Sequence, residues 1–90
     1  SQLSANRLKI DKSFISKVTT DKGASAIVKS IINLGEQFKL NVIAEGVETC
    51  EQFQWLKHAG CDEIQGFWLA KPMAFDELIL WLKSRESVAI

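Results

Sequence analysis

Lys9 and Asp11, Glu45 and Glu48, and Glu63 and Gln65 stand at or beside the ends of short apolar runs. Carboxylates can hold Mg²⁺ or activate a water, and a lysine can orient that water or neutralise charge. One cation, several carboxylates and an amide converging on one mouth would therefore suit metal-assisted hydrolysis. Each residue also has a plainer reading. A lysine at a strand end commonly lays its stem along the surface and keeps its ammonium in water. Asp11 fits a cap on the following turn. Glu48 fits a first-turn helix acid favoured by the helix dipole. Gln65, ahead of Gly66, reads either way. Glu45 is the most informative. It directly follows Val42-Ile43-Ala44, and a carboxylate that close to a core is costly unless paired or metal-bound.

These side chains can act together only if the chain brings several strand ends to one place. Arg7-Leu8-Lys9-Ile10-Asp11 reads as a short strand with Leu8 and Ile10 on one face. Phe14, Ile15 and Val18 follow in a turn-like stretch. Asp21 or Thr20 can cap a helix over roughly 22–39. Ile27, Ile31, Leu34 and Phe38 recur there at helical spacing, and Ala24, Val28, Ile32 and Gly35 widen the stripe, so one broad face should be buried. Asn41-Val42-Ile43-Ala44-Glu45 is a second strand, short and apolar as expected of one covered on both faces, and Gly46 breaks it. Thr49 and Gln52 fit a capping box for a helix that runs to about Ala59, with Gly60 as its stop. Glu63-Ile64-Gln65-Gly66-Phe67 is a third strand, and Pro72 ends the loop after it. A last helix over roughly 74–85 should bury Phe75, Leu78, Ile79 and Leu82. The order β-α-β-α-β-α predicts parallel strands with helical crossovers. In a (β/α) barrel the chemistry sits at the carboxyl ends of the strands, where the polar residues above fall. Three units are too few for a closed eight-unit barrel, so they form part of one or a small open sheet.

Composition excludes several classes. Eleven basic and eleven acidic residues give a formal net charge of zero, without the basic footprint of a nucleic-acid binder or a polybasic membrane patch. The longest apolar runs, such as Leu78-Ile79-Leu80-Trp81-Leu82, fall far short of the about twenty residues a membrane-spanning helix needs. The first seven residues carry no apolar core of a signal peptide. The segment reads as cytoplasmic, which is compatible with a membrane anchor elsewhere in a longer protein. Cys50 and Cys61 read as reduced, semi-buried small side chains. Zinc would need more ligands, and the one histidine, His58, reads as a solvated helix residue beside Lys57. Trp55, Trp68 and Trp81 read as packing residues, with Trp68 near enough to the mouth to border it.

Three ordered blocks carry a resemblance. Leu8-Lys9-Ile10-Asp11-Lys12-Ser13-Phe14-Ile15, Val42-Ile43-Ala44-Glu45-Gly46-Val47-Glu48-Thr49 and Gly60-Cys61-Asp62-Glu63-Ile64-Gln65-Gly66-Phe67 resemble successive motifs of the EAL domain family, and Ala70-Lys71-Pro72-Met73 is similar to the segment that follows. The resemblance implies an α/β fold, the C-terminal β-α-β-α-β-α portion of a modified TIM-type (β/α) barrel, with residues 1–90 as the C-terminal segment of a single EAL domain. It implies hydrolysis of cyclic di-GMP to the linear dinucleotide pGpG with Mg²⁺ or Mn²⁺. By the same resemblance Lys9 contacts the attacking water, Glu45 is the water-activating or metal-proximal carboxylate, and Gln65 supports the site. Glu48 matches the second acid of its block, with a supporting or metal-associated role, and Asp11 matches a position given only a structural one. The family's Glu-Ala-Leu segment, its Asn and Glu metal ligands and its paired aspartates are absent, and all would precede residue 1. Leu3-Ser4-Ala5-Asn6 resembles the end of the loop after those aspartates, with Ser4 where proline is common, and Phe67 replaces the usual tyrosine.

The first reading is thus part of a phosphodiesterase whose segment alone is inactive. The rival is a degenerate EAL domain that binds cyclic di-GMP or a protein without hydrolysis. A weaker third is an unrelated small α/β domain sharing only the topology. Expected partners are cyclic di-GMP and either a second copy or the remainder of its own domain. No nucleic-acid polymer and no direct membrane contact are expected. Alternation along the strands predicts that Leu8, Ile10, Val42 and Ile64 face the barrel interior, so an isolated folded segment should cover that face by association.

Overall fold

The structure is a computed structural model that describes residues 6–66 and 72–80. Its elements run β1 (Arg7–Ile10), α1 (Lys12–Ile15), α2 (Lys22–Gln37), β2 (Asn41–Val47), α3 (Cys50–Ala59), β3 (Glu63–Gly66) and β4 (Met73–Ala74). Residues 75–80 are helical. Phe67, Trp68, Trp81, Leu82 and the rest of the expected last helix lie outside the described residues.

Local chemistry sets most of these boundaries. The Asp11 carboxylate accepts from Ser13 N–H at 2.9 Å and starts α1, so the stretch expected as a turn is a one-turn helix. Asp21 caps α2 through Gly23 N–H. At the other end of α2, Lys39 takes φ 59°, with Leu40 N–H on the Gly35 carbonyl and Lys39 N–H on that of Glu36. That is a Schellman closure, built here without glycine. Thr49 and Gln52 form the capping box of α3, and left-handed Gly60 closes it.

The sheet order is β1-β2-β3-β4. The first three strands are parallel, as the alternating pattern requires, with Leu8 opposite Val42 and Ala44 opposite Ile64. β4 pairs antiparallel with β3 and was not expected, because two residues show no periodicity. Asp62 bridges the amino ends of β2 and β3: its carboxylate accepts from Val42 N–H at 2.8 Å, and its N–H donates to the Val42 carbonyl.

One sheet face meets the helices. Ile10, Val42, Ala44 and Ile64 join Val28 and Ile32 of α2 and Phe53 and Leu56 of α3 in a single core, with Leu8 packed on its edge. Gly35 lies so close to Val42 that a Cβ would strike the valine side chain. This corrects the expected orientation: Leu8, Ile10, Val42 and Ile64 face the helices, not the barrel interior. Alternation says which residues share a face but not which face the helices take.

A second correction concerns α2. Its buried row is Ala24, Val28, Ile32 and Gly35, whereas Ile27, Leu34 and Phe38 are 44%, 50% and 68% exposed. The apolar arc is broader than the sheet face beneath it. Cys61 is buried as expected, but Cys50, in the first turn of α3, is exposed. His58 is exposed, its Nδ1 2.9 Å from the Gln54 carbonyl. Among the described residues, no helix is long and apolar enough to cross a membrane.

Candidate active site at the strand ends

The face away from the helices is polar. By alternation it carries Arg7 and Lys9 of β1, Ile43 and Glu45 of β2, and Glu63 and Gln65 of β3. Four of the six residues selected by type, Lys9, Glu45, Glu63 and Gln65, therefore share one face, and Asp11 and Glu48 do not. Lys9 Nζ lies 3.9 Å from Glu45 Oε2, with the side chains 62% and 32% exposed. An exposed pair contributes little to stability. At this distance the groups attract without a close hydrogen bond, which leaves donors and acceptors available to a water. Gln65 is half-buried on β3, opposite the end of β2 where Glu45 stands.

The end of β2 is irregular just beyond the acid. The register slips between Ala44 and Val47, which pair with Ile64 and Gly66, so β2 holds one extra residue. In a regular strand Val47 would share a face with Glu45. The bulge returns Val47 to the core, where it is fully buried, and leaves Glu45 on the polar face. Two glycines permit it. Gly46 has φ 74°, and a Cβ there would collide with the Lys12 side chain. Gly66 has φ 146°, and a Cβ there would collide with the Val47 backbone.

Glu48 stands apart from the Lys9–Glu45 pair. It is exposed and lines a depression of about 340 Å³ with Asp11, Lys12, Ser13, Ser16 and Gly46. Its main chain is clamped, since Glu48 N–H and Thr49 N–H both donate to buried Gln52 Oε1, at 2.8 and 3.2 Å. Asp11 is committed to its cap, and the Ser13 hydroxyl and backbone N–H hold its carboxyl below the usual carboxylate range. Burial pushes the Cys61 thiol up to about 11, which leaves it protonated and unreactive at neutral pH. A larger depression of about 590 Å³, lined by Thr19, Cys50, Glu51, Gln54, Trp55 and His58, is an open apolar shelf beside α3. It shares no residue with the strand-end set.

Residue type alone did not single out Arg7. Arg7 Nη2 reaches Glu63 Oε1 at 3.1 Å, from β1 to β3 across β2, where Ile43 is fully buried. The signal for this layer was in the sequence, because Arg7, Lys9, Glu63 and Gln65 are all out of phase with the apolar residues of their strands.

Among the described residues no three His, Cys, Asp or Glu side chains gather as a metal site. Glu45 is paired with Lys9, and Glu48 lines a separate depression. These two carboxylates do not converge, and Mg²⁺ usually takes one or two carboxylates together with waters and substrate phosphates.

Comparison with known proteins agrees with this geometry. The family model described as EAL domain matches residues 1–72. The chain is 42% identical over 78 residues to the bifunctional diguanylate cyclase/cyclic di-GMP phosphodiesterase MucR of Pseudomonas aeruginosa, covering 87% of this chain and 11% of that protein. It is similar in structure to the PaMucR phosphodiesterase in its c-di-GMP complex, with a TM-score of 0.68 and 42% identity over 81% of this chain and 30% of that one. Klebsiella pneumoniae BlrP1, in a manganese/cy-diGMP complex, gives a TM-score of 0.68 and 33% identity over 74% of this chain and 17% of that one. The chain thus spans about a tenth of the curated relative's length.

Proposed function

The chain belongs to the EAL domain family, and from that premise we propose that it supplies the Lys9, Glu45 and Gln65 side of a site that hydrolyses cyclic di-GMP to pGpG. Its three parallel strands and their helices are a partial segment of the family's TIM-barrel-like fold. The observation that carries the proposal is the Lys9–Glu45 pair, 3.9 Å apart on the polar sheet face at the carboxyl ends of parallel strands. In this reading Glu45 accepts a proton from the attacking water. Lys9 orients that water and offsets negative charge as it develops on the phosphate. Gln65, with both a donor and an acceptor, holds the water or the carboxylate in register.

EAL domains are metal-dependent, and a manganese complex is among the similar structures. We take the cofactor to be Mg²⁺ or Mn²⁺, with its principal ligands outside the described residues and Glu48 as an outer contributor. Two free cysteines fit a reducing compartment, and we assign the activity to the cytoplasm.

The test is turnover of cyclic di-GMP by the complete domain. Lys9→Ala and Glu45→Ala should each lower kcat by roughly 10²–10⁴-fold with the circular dichroism spectrum unchanged. Wild-type turnover in either variant would remove that residue from the site. Tight binding of cyclic di-GMP by the unmodified domain without turnover would make it a receptor instead.

A further inference from the structure

We infer that Arg7 is a positioning residue for Lys9: by engaging Glu63 it keeps that carboxylate from competing with Glu45 for the lysine ammonium. The inference rests on the reading of Lys9 and Glu45 just given and adds a residue to it.

The register supplies the competition. Lys9, Ile43 and Glu63 form one row across β1, β2 and β3, all on the polar face. Glu63 therefore stands two strands from Lys9, about 9.6 Å at the usual spacing. That gap is crossable by a long basic side chain, because Arg7 crosses it. Arg7 sits one level lower on β1, opposite Asn41, and still reaches Glu63 Oε1 at 3.1 Å. Lys9 is directly in row and has the shorter span. It nevertheless lies 3.9 Å from Glu45 Oε2, on the adjacent strand and nearer the carboxyl ends.

The choice follows from which acid is already satisfied. Glu63 and Glu45 are similarly half-buried, at 25% and 32% exposed, and Glu63, beside a fully buried isoleucine, is the one with a partner at close hydrogen-bonding distance. A guanidinium suits that role: it stays charged, and its planar fork loses little freedom on pairing. With Glu63 neutralised, the attraction left for Lys9 points along the strands toward Glu45. Without Arg7, the half-buried Glu63 would draw Lys9 sideways across β2 and away from the mouth.

The experiment compares kcat and KM for cyclic di-GMP in the complete domain carrying Arg7→Ala, Glu63→Gln, both changes together, or Lys9→Ala. Arg7→Ala should lower kcat roughly ten- to a hundredfold with little change in KM, the size expected when a catalytic group is displaced by about an ångström. Glu63→Gln should stay close to wild type, and the double variant should recover most of the lost kcat, because the competing charge is gone. A double variant as slow as Arg7→Ala overturns the inference, and so does a kcat that simply follows the denaturant midpoint across the four variants, because removing both partners of a merely bracing bridge also removes the stranded Glu63 charge and restores stability. Arg7→Ala at wild-type kcat also overturns it. Should Arg7→Ala fail to fold, Arg7→Met carries the same comparison with the stem retained. If Lys9→Ala keeps wild-type turnover, the reading of Lys9 fails and this inference with it. If Lys9→Ala is inactive while Arg7→Ala is not, only the role of Arg7 fails.

Discussion

Single residues at the mouth are placed by backbone geometry more than by contact energy. Val47 owes its buried side to an extra residue in β2 just beyond Glu45, and that residue fits because Gly66 lets the Val47 backbone come close. Gly66→Ala should therefore cost at least about 1–3 kcal/mol, the usual range for a side chain held in a sparsely populated conformation. Denaturant unfolding of the complete domain would measure it, with an unchanged slope and a lower midpoint expected. The same variant should lose turnover at concentrations of denaturant that leave it folded, since the ends of β2 and β3 must separate to admit the methyl. An unshifted midpoint would mean that the two strand ends are not in this close contact. The types of Lys9, Glu45 and Gln65 were legible from the chain itself. Their common face was legible only in part, because it needs the pairing register as well as the alternation.

At the scale of elements, caps explain why the helices begin and end where they do. Of the two caps open to α2, Asp21 and Thr20, the structure takes Asp21, and Thr49 with Gln52 starts α3 as expected. The end of α2 hides a small strain. Lys39 sits at φ 59° in the left-handed region, where an L side chain costs roughly 1–2 kcal/mol and glycine does not. Glycine loses about 0.5–1 kcal/mol through its greater freedom in the unfolded chain. Lys39→Gly should thus stabilise the domain by up to about 1.5 kcal/mol net. Thermal unfolding would detect that, and a lower Tm would show that the Lys39 stem contributes packing that outweighs the strain. Two elements were not foreseen, the one-turn α1 and β4; each is too short to show a period, and the pairing of β4 with β3 is a tertiary choice.

For the whole molecule, the exposed row of α2 matters most. Ile27, Leu34 and Phe38 form a stripe that neither the sheet nor α3 covers. Full burial of such a side chain is worth roughly 1.5–3 kcal/mol, so three left about half exposed forfeit about half of that each, still a sizeable share of the roughly 5–15 kcal/mol that holds a domain together. Among the described residues β1 is also an edge of the sheet, and an edge strand can template pairing along its outer side. Expressed alone, the 90 residues should self-associate at micromolar concentration and show no turnover of cyclic di-GMP. Association should run through the α2 stripe and the β1 edge rather than the polar sheet face. Sedimentation would decide it: replacing Ile27, Leu34 and Phe38 by polar residues should shift the species toward monomer. A strictly monomeric, cooperatively unfolding segment would contradict this account of the surface.

Residue types and their spacing were enough to set the class of fold, the parallel sense of the strands, the capping box and glycine stop of α3, and the ordered blocks that carry Lys9, Glu45 and Gln65. Those features are local, fixed by propensity, period and capping chemistry within a few residues of one another. Three things needed the tertiary structure: which sheet face the helices cover, which apolar row of α2 is left wet, and which acid Lys9 takes. Alternation is symmetric between the two faces of a strand until a helix lands on one of them. An apolar arc broader than its partner surface does not say which side will be covered. Lys9 has two acids within reach, and the choice between Glu45 and Glu63 turns on Arg7, separated from Glu63 by 56 positions along the chain and brought to it only by the pairing of β1, β2 and β3.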